Sequence, residues 1–250
     1  MPKESAAVGL ARQRHLAELT LDLRASHGKF TPDSAAAFSE ACARCDDDEI
    51  WVVWLRSLGG GFCTGIEGRF DRWPRLTGVD FVAALAAVRQ PVVASLRGRV
   101  EAEGFELALV ADLRVVHPQT RFVMSQVRCG GLPSFGGTQR LPRMIGTERA
   151  LRGLLLCEPI PARRAVDWGL ATRVSANPER AARQIVAALL ERGPIALRHA
   201  KEAVRRAMDF TLDDGARFEH DLYVLLETTR DRAEGVDAFL GKRKPKFRGN

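Results

Sequence analysis

The chain has 250 residues, of which 46% are hydrophobic and 28% charged, a composition typical of a soluble globular protein with a sizeable core. The longest apolar runs, such as residues 51–55 and 107–111, are far shorter than the roughly 20 residues of a membrane span. The first 21 residues contain no uninterrupted apolar segment of the kind that defines a secretory signal. We therefore expect a cytoplasmic protein with no membrane partner.

The formal net charge of +7 indicates an anionic partner. However, 31 acidic residues are interspersed with 38 basic ones, and the main basic cluster is at residues 242–248. Because no helix-turn-helix, zinc-finger or RNA-recognition motif is present, we expect no nucleic-acid partner. A phosphorylated small ligand is the better candidate for this cluster, although a solvated terminus would have the same composition.

The chain has five cysteines, an odd count that argues against a disulfide framework. Cys42 and Cys45 form a C-x-x-C pair, but they share one apolar helical stripe with Phe38 and Ala41. This spacing favours buried packing over a redox or zinc pair, and there is no second pair to complete a metal site. We expect no bound metal.

Apolar, mostly continuous segments predict strands that are buried on both faces. The predicted strands are residues 19–23, 50–56, 92–96, 113–116 and 171–174. Predicted helices alternate with them at residues 32–45, after the cap and proline of Thr31-Pro32, and at 79–88. Helices then follow almost without interruption at residues 148–156, 161–168, 178–192, 194–208, 212–229 and 233–240. The pattern predicts an α/β core with a helical C-terminal region.

Three glycine-rich clusters each follow a predicted strand, at residues 59–68, 98–104 and 130–146. The first cluster lacks both the Lys-Ser/Thr of a P-loop and a G-x-G-x-x-G fingerprint. Alone it indicates either a tight turn or main-chain amides that face an anionic or carbonyl oxygen. Together, the three clusters predict a pocket wall of main-chain amides.

Glu106 is the candidate acid or base beside this wall. The helix macrodipole accounts for Glu101 and Glu103, which lie near a helix N-terminus. Glu106, however, is followed by residues that are apolar on every side, so its carboxylate needs a partner, a ligand or a raised pKa. The sequence has no G-x-S-x-G or H-E-x-x-H motif, and its five scattered histidines are typical of surface or capping positions.

Five motifs, in this order, resemble those of the enoyl-CoA hydratase/isomerase, or crotonase, family. They are GGGFCTGIE, QPVVASLRGRVEAEGFELALVADLRVV, GGLPSFGGTQRLPRMIG, ARRAVDWGLATRV and EGVDAFLGKRKPKF, and they span residues 50–250. The resemblance implies a spiral of β-β-α turns in a core of residues 1–190. It also implies a helical trimerisation region at residues 191–250, with trimers often paired into hexamers, acyl-CoA thioester substrates and no bound cofactor.

The resemblance also implies an oxyanion hole, in which two main-chain N–H groups bind the thioester oxygen and stabilise an enolate. By position these amides belong to Thr64 and Glu103, although similar family members usually have glycine at position 103. Glu106 falls on the first catalytic glutamate of the hydratases. Gln126 stands at the second, and a glutamine can hold a water but cannot transfer a proton.

The coenzyme A contacts implied by the resemblance involve Lys29 in the turn ASHGKF, Cys63 and Ile66 beside Thr64, and Lys242 or Arg243 near the C-terminus. The acyl pocket would be lined by residues 71–76 and 81–88. Its bulkiest residue, Trp73, is equally compatible with a role in capping the core.

Three functions remain open at this point. The first is an enoyl-CoA hydratase that uses Glu106 as its acid/base and Gln126 to position water. The second is a one-base reaction on an acyl-CoA, such as double-bond isomerisation. The third is a catalytically impaired homologue that binds acyl-CoA.

Overall fold

A computed structural model describes residues 7–68 and 79–250. Four successive β-β-α turns form the core. The first strands of these turns are β2 (Leu16–Leu21), β4 (Val52–Ser57), β6 (Val92–Leu96) and β8 (Leu113–Val116). The second strands are β3 (Lys29–Phe30), β5 (Gly65–Ile66), β7 (Arg99–Glu101) and β9 (Arg121–Val123). The helices are α1 (Pro32–Cys45), α2 (Phe81–Ala87), α3 (Glu103–Val110) and α4 (Gly137–Ile145), and a short 3₁₀ turn (Gln126–Cys129) precedes α4.

The first strands pair in parallel within a six-stranded sheet of order β1-β2-β4-β6-β8-β11. β1 (Val8–Gln13) is antiparallel to β2 at one edge, and β11 (Arg173–Val174) pairs with β8 at the other. Every residue of β6 is buried, as the continuous apolar pattern of this segment predicts.

The second strands form a separate layer, in which β3 pairs with β5, and β7 pairs with β9. A bridge between Cys63 and Val100 joins these two pairs, and β10 (Ile160–Pro161) extends the layer beyond β9. The chain therefore winds from the large sheet to the small layer and into a helix at each turn. This confirms the predicted spiral of β-β-α turns.

The remaining helices follow the spiral. They are α5 (Thr147–Leu155), α6 (Ala162–Asp167), α7 (Pro178–Leu190), α8 (Pro194–Arg206), α9 (Leu212–Glu227) and α10 (Arg230–Leu240). α7 belongs to the core, because Ala182 and Val186 are buried in a cluster with Trp54 and Val93 of the large sheet. By contrast, α8, α9 and α10 together bury only four residues in the chain on its own.

α1 has the predicted bounds, and its N-terminus carries a capping box between Thr31 and Ser34. Cys42 and Cys45 are fully buried free thiols, which confirms their packing role. Predicted Trp73 and residues 71–76 lie outside the described residues. β1 was not predicted, because most of its residues are exposed and its sequence is interrupted by the charged Arg12.

In residues 7–68 and 79–250, no helix combines the length and hydrophobicity required to cross a bilayer. Over the same ranges, no group of three or more His, Cys, Asp or Glu side chains is arranged to hold a metal ion.

Candidate active site

The three predicted glycine-rich segments converge on the N-terminus of α3. A Cβ at Gly104 would overlap the Cys63 carbonyl, so glycine is what lets α3 approach the first segment this closely. The Ala102 N–H donates to the Val123 carbonyl at 2.9 Å, which ties the start of α3 to β9. Ala102 has φ +50° and ψ −123°, a strained conformation for a residue with a side chain.

Glu106 lies in the first turn of α3 and is completely buried. Its Oε1 accepts hydrogen bonds from the main-chain N–H groups of Phe135 and Gly137, both at 2.8 Å. The pKa of Glu106 is raised to about 7, mainly by burial and in smaller part by the nearby Glu103, although these two amides oppose the shift. A carboxyl with this pKa exists in both protonation states near neutral pH, as an acid/base requires.

Gln126 contacts Glu106 directly. Its Nε2 donates to Glu106 Oε2 at 3.0 Å. Its Oε1 is buried and has no hydrogen-bond partner among the described residues. The Gln126 amide therefore uses its nitrogen to hold the Glu106 carboxylate, and its oxygen can still accept a hydrogen bond.

Glu103 is also buried, with 2% of its surface exposed. Its Oε2 would lie 2.7 Å from a Cβ at position 65, where Gly65 has φ +130°, so the carboxylate packs against that glycine. Oε2 has no hydrogen-bond partner among the described residues. The Glu103 side chain thus fills the space beside its own main-chain amide.

The surroundings of Glu103 act on its carboxylate in opposite directions. Burial raises the pKa of Glu103, and this effect dominates. The main-chain N–H groups of Glu103 and Ile66, the Gln126 side chain and the Lys29 charge partly counter it. The main-chain N–H groups of Glu103 and Ile66 therefore lie near a carboxyl oxygen of the chain itself.

Thr64 differs from the prediction in its hydrogen bonding. Its N–H, expected to face a thioester oxygen, donates to the Gly28 carbonyl at 2.7 Å. Its hydroxyl also donates to that carbonyl, at 3.2 Å. A role for the Thr64 amide in the oxyanion hole stays a prediction, and it requires this hydrogen bond to open.

A cleft of about 460 Å³ runs alongside the first glycine-rich segment. Its lining includes Cys63 and Thr64 and the cationic side chains of Arg24 and Arg99. Arg24 pairs with Asp22, and Arg99 pairs with Glu101. Lys29 is exposed, whereas Cys63 and Ile66 are buried, and the Cys63 thiol is directed at the Gly65 carbonyl at 3.5 Å.

The residues near the C-terminus that were predicted to contact coenzyme A, Lys242 and Arg243, do not line this cleft. Lys242 is exposed, and both terminal nitrogens of Arg243 pair with the Glu234 carboxylate, at 2.6 and 2.8 Å. Gly249, farther along this tail, packs beside Trp51, immediately before the amino end of β4. The first two glycine-rich segments follow the carboxyl ends of β4 and β6, so the tail tip and the site are at opposite ends of β4.

The fold and the site define a class of protein. The family model described as enoyl-CoA hydratase/isomerase matches residues 11–250, and the chain belongs to this family.

Individual relatives sharpen this assignment. The chain is 35% identical to the crotonyl-CoA hydratase of Syntrophomonas wolfei over 95% of this chain and 96% of that protein. It is 31% identical to the 1,2-epoxyphenylacetyl-CoA isomerase of Escherichia coli, over 92% and 94%. The crystal structure of an enoyl-CoA hydratase subunit from Geobacillus kaustophilus superposes with a TM-score of 0.92, 30% identity and coverage of 99% and 100%. The chain is therefore an acyl-CoA-processing enzyme of the crotonase type.

Proposed function

We propose that this enzyme adds water to a 2-enoyl-CoA thioester, with Glu106 as acid/base and Gln126 as the residue that positions the water. The observation that carries the proposal is the buried Glu106 carboxyl, held by two main-chain amides and by Gln126, with a pKa of about 7. Such a group removes a proton from water at neutral pH without a large free-energy cost.

The proposed oxyanion hole uses the Glu103 N–H together with a second amide from the first glycine-rich segment. Thr64 is the candidate by resemblance. The Ile66 N–H is an alternative, because it already influences the Glu103 carboxylate, whereas the Thr64 N–H is bonded to Gly28. In either case the thioester oxygen takes the place of the Glu103 carboxylate, and the amides stabilise the enolate as its charge develops.

Coenzyme A would bind along the 460 Å³ cleft, which has Cys63 in its wall. Lys29 and Ile66 are proposed as further contacts, because each lies within two residues of a lining residue, Gly28 or Thr64. For Lys242 and Arg243, the position of the C-terminal tail argues against contact with coenzyme A in the same subunit. Because the tip of their tail packs at the far end of β4, we propose that they reach coenzyme A in a neighbouring subunit. Arg243 would then exchange its Glu234 partner for a phosphate.

A homotrimer, or a hexamer made of two trimers, is supported by the apolar surface of the helical region. Large apolar side chains that are at least half exposed on or beside α8, α9 and α10 are Val204, Met208, Leu212, Tyr223, Leu225, Phe239 and Leu240. We propose residues 191–250 as the trimerisation region. The cytoplasmic location stays a prediction.

The hydration is tested by mixing the protein with crotonyl-CoA and following the loss of the conjugated-thioester absorbance. We expect turnover by the wild-type protein and a loss of 10²- to 10⁴-fold in Glu106→Gln, because a glutamine cannot accept the proton. A Glu106→Gln variant that turns over as fast as the wild type contradicts the role of Glu106.

A second candidate is double-bond isomerisation, which needs only one base. The observation that favours it is Gln126, which cannot supply the second proton transfer of a hydratase at that position. A 3-enoyl-CoA that gains conjugated absorbance, with crotonyl-CoA unchanged, supports isomerisation. Binding of both thioesters without turnover supports the third possibility, a homologue impaired by the Glu103 side chain.

A further inference from the structure

Two carboxylates and one amide form a buried group in the site. Glu103, Glu106 and Gln126 are each no more than 2% exposed. Gln126 donates to Glu106, and its side chain also lies close enough to Glu103 to influence that carboxyl. The Gln126 side chain is therefore close to both glutamates.

Two acceptor atoms in this group lack partners among the described residues. They are Glu103 Oε2 and Gln126 Oε1, both buried. A buried acceptor without a donor destabilises the fold, so such atoms mark places where a proton, a water or a substrate group binds. Their presence in one cluster indicates that this cluster receives a donor.

We propose that Glu103 is the second acid/base of this enzyme, so that the dyad of the hydration reaction is Glu103 with Glu106, bridged by Gln126. The inference rests on the proposed hydration. It gives Gln126 the role of a positioning residue and moves the second carboxyl to the first residue of α3. The absence of a side chain at Gly65 leaves room for the Glu103 carboxyl, which directly follows the strained Ala102 with its φ of +50°.

In the proposed dyad one glutamate is ionised and acts as the base, and the other is protonated and acts as the acid. Both carboxyls are raised in pKa by burial, and they repel each other when both are ionised, so a single proton on the pair is favoured. The other charged or titratable groups that act on them are Lys29 for Glu103, Arg140 for Glu106, and the Cys63 thiol beside Glu103. One carboxylate and one carboxylic acid are what water addition requires.

The proton balance closes within the dyad. The Glu106 carboxylate removes one proton from the water as the water oxygen bonds to Cβ, and the Cα–Cβ π electrons move into the thioester as an enolate. The Glu103 carboxyl leaves the main-chain amides to the thioester oxygen and transfers its proton to Cα as the enolate collapses. Glu106 is then protonated and Glu103 ionised, and passage of that proton from Glu106 to Glu103 restores the starting state.

The test compares Glu103→Gln with the matched control Glu101→Gln, both assayed with crotonyl-CoA over pH 5–9. We expect Glu103→Gln to lower kcat at least 100-fold and to remove one limb of the pH profile, since the second titrating group is lost. The control should retain the wild-type rate and profile. Glu103→Gln also keeps the side-chain volume. If the Glu103 side chain only fills the pocket, this variant should therefore keep the wild-type rate, whereas loss of an acid should lower it.

Relocation of the carboxyl provides the second arm. If Glu103 replaces the carboxylate that Gln126 lacks, then Glu103→Gly with Gln126→Glu should recover at least 10-fold of the rate lost in Glu103→Gly alone. Wild-type rates and pH profile in Glu103→Gln, or faster turnover in Glu103→Gly alone, overturn the inference while leaving the proposed hydration intact. A wild-type protein that hydrates no enoyl-CoA contradicts both.

Discussion

The large sheet and the first turn of α3 are both buried, but for different reasons. β4 and β6 bury aliphatic and aromatic side chains on both faces, and their main-chain groups pair with adjacent parallel strands. The first turn of α3 instead buries Glu103 and Glu106 next to Gln126, beside a strained Ala102, and Glu103 and Gln126 each have an acceptor with no partner in residues 7–68 and 79–250. The sheet stabilises the fold, whereas the buried carboxyls and the strain at the first turn of α3 destabilise it in exchange for catalytic groups.

This difference predicts opposite signs for substitutions in the two regions. In the sheet, loss of buried volume should destabilise at any pH. In the turn of α3, removal of a charge or of strain should stabilise the fold while it lowers activity. The following substitutions test that contrast by measurement of the free energy of unfolding.

The largest expected effect is in the sheet. Leu55, in β4, is fully buried, and Leu55→Ala should lower the free energy of unfolding by about 4 kcal/mol through lost transfer energy and the cavity that remains. Urea denaturation of the wild-type and variant proteins measures the difference. Leu55→Met, which keeps most of the volume, should cost less than about 1.5 kcal/mol. Equal losses in both variants would show that the sheet is not closely packed there.

The next effect concerns the pH dependence of stability. The pKa of Glu106 is about 7 in the folded protein against 4.5 as the ordinary value, so the folded state holds its proton more tightly. The contribution of protonated Glu106 to the free energy of unfolding is therefore present in full below pH 4.5. It is lost as the pH rises through about 7, and above that pH the free energy of unfolding is lower by about 3 kcal/mol. Glu103, whose pKa is also raised, acts in the same direction.

Glu106→Gln should abolish most of this loss, because the amide oxygen still accepts from Phe135 and Gly137 while no charge is buried. The new amide nitrogen can also donate to Gln126 Oε1 after that side chain rotates. Denaturation at pH 5 and pH 8 should give a lower free energy of unfolding at pH 8 for the wild type, and a much smaller difference for the variant, in which only Glu103 of the two glutamates still loses a proton. A wild-type protein that is more stable at pH 8 than at pH 5 contradicts the pKa argument.

The sequence was informative where a pattern repeats. Continuous apolar runs predicted β6 and β8 with correct bounds, and a cap, a proline and an apolar stripe predicted α1. The short second strands, which have only two or three residues, carry no periodic signal. Their pairing depends on how neighbouring turns of the spiral pack against each other, and the local sequence does not encode this packing.

The site was predictable in part for a related reason. The glycine-rich clusters indicated a wall of main-chain amides beside Glu106, and Phe135 and Gly137 do donate to it. The direction of the Glu103 side chain could not be predicted, because it follows from the unusual φ of Ala102. The hydrogen bond from the Thr64 N–H to Gly28 depends on the distant turn before β3, and no motif at Thr64 indicates it.

The smallest expected effect comes from Ala102, whose φ of +50° and ψ of −123° are disfavoured for any residue with a Cβ. Ala102→Gly should raise the free energy of unfolding by about 1 kcal/mol, since relief of the strain outweighs the extra freedom of glycine in the unfolded chain. Ala108→Gly, the same change inside α3, should instead destabilise by about 1 kcal/mol. Paired thermal unfolding of the two variants decides the point: because the substitution is identical, a loss of stability in both would mean that the turn before α3 stores no strain.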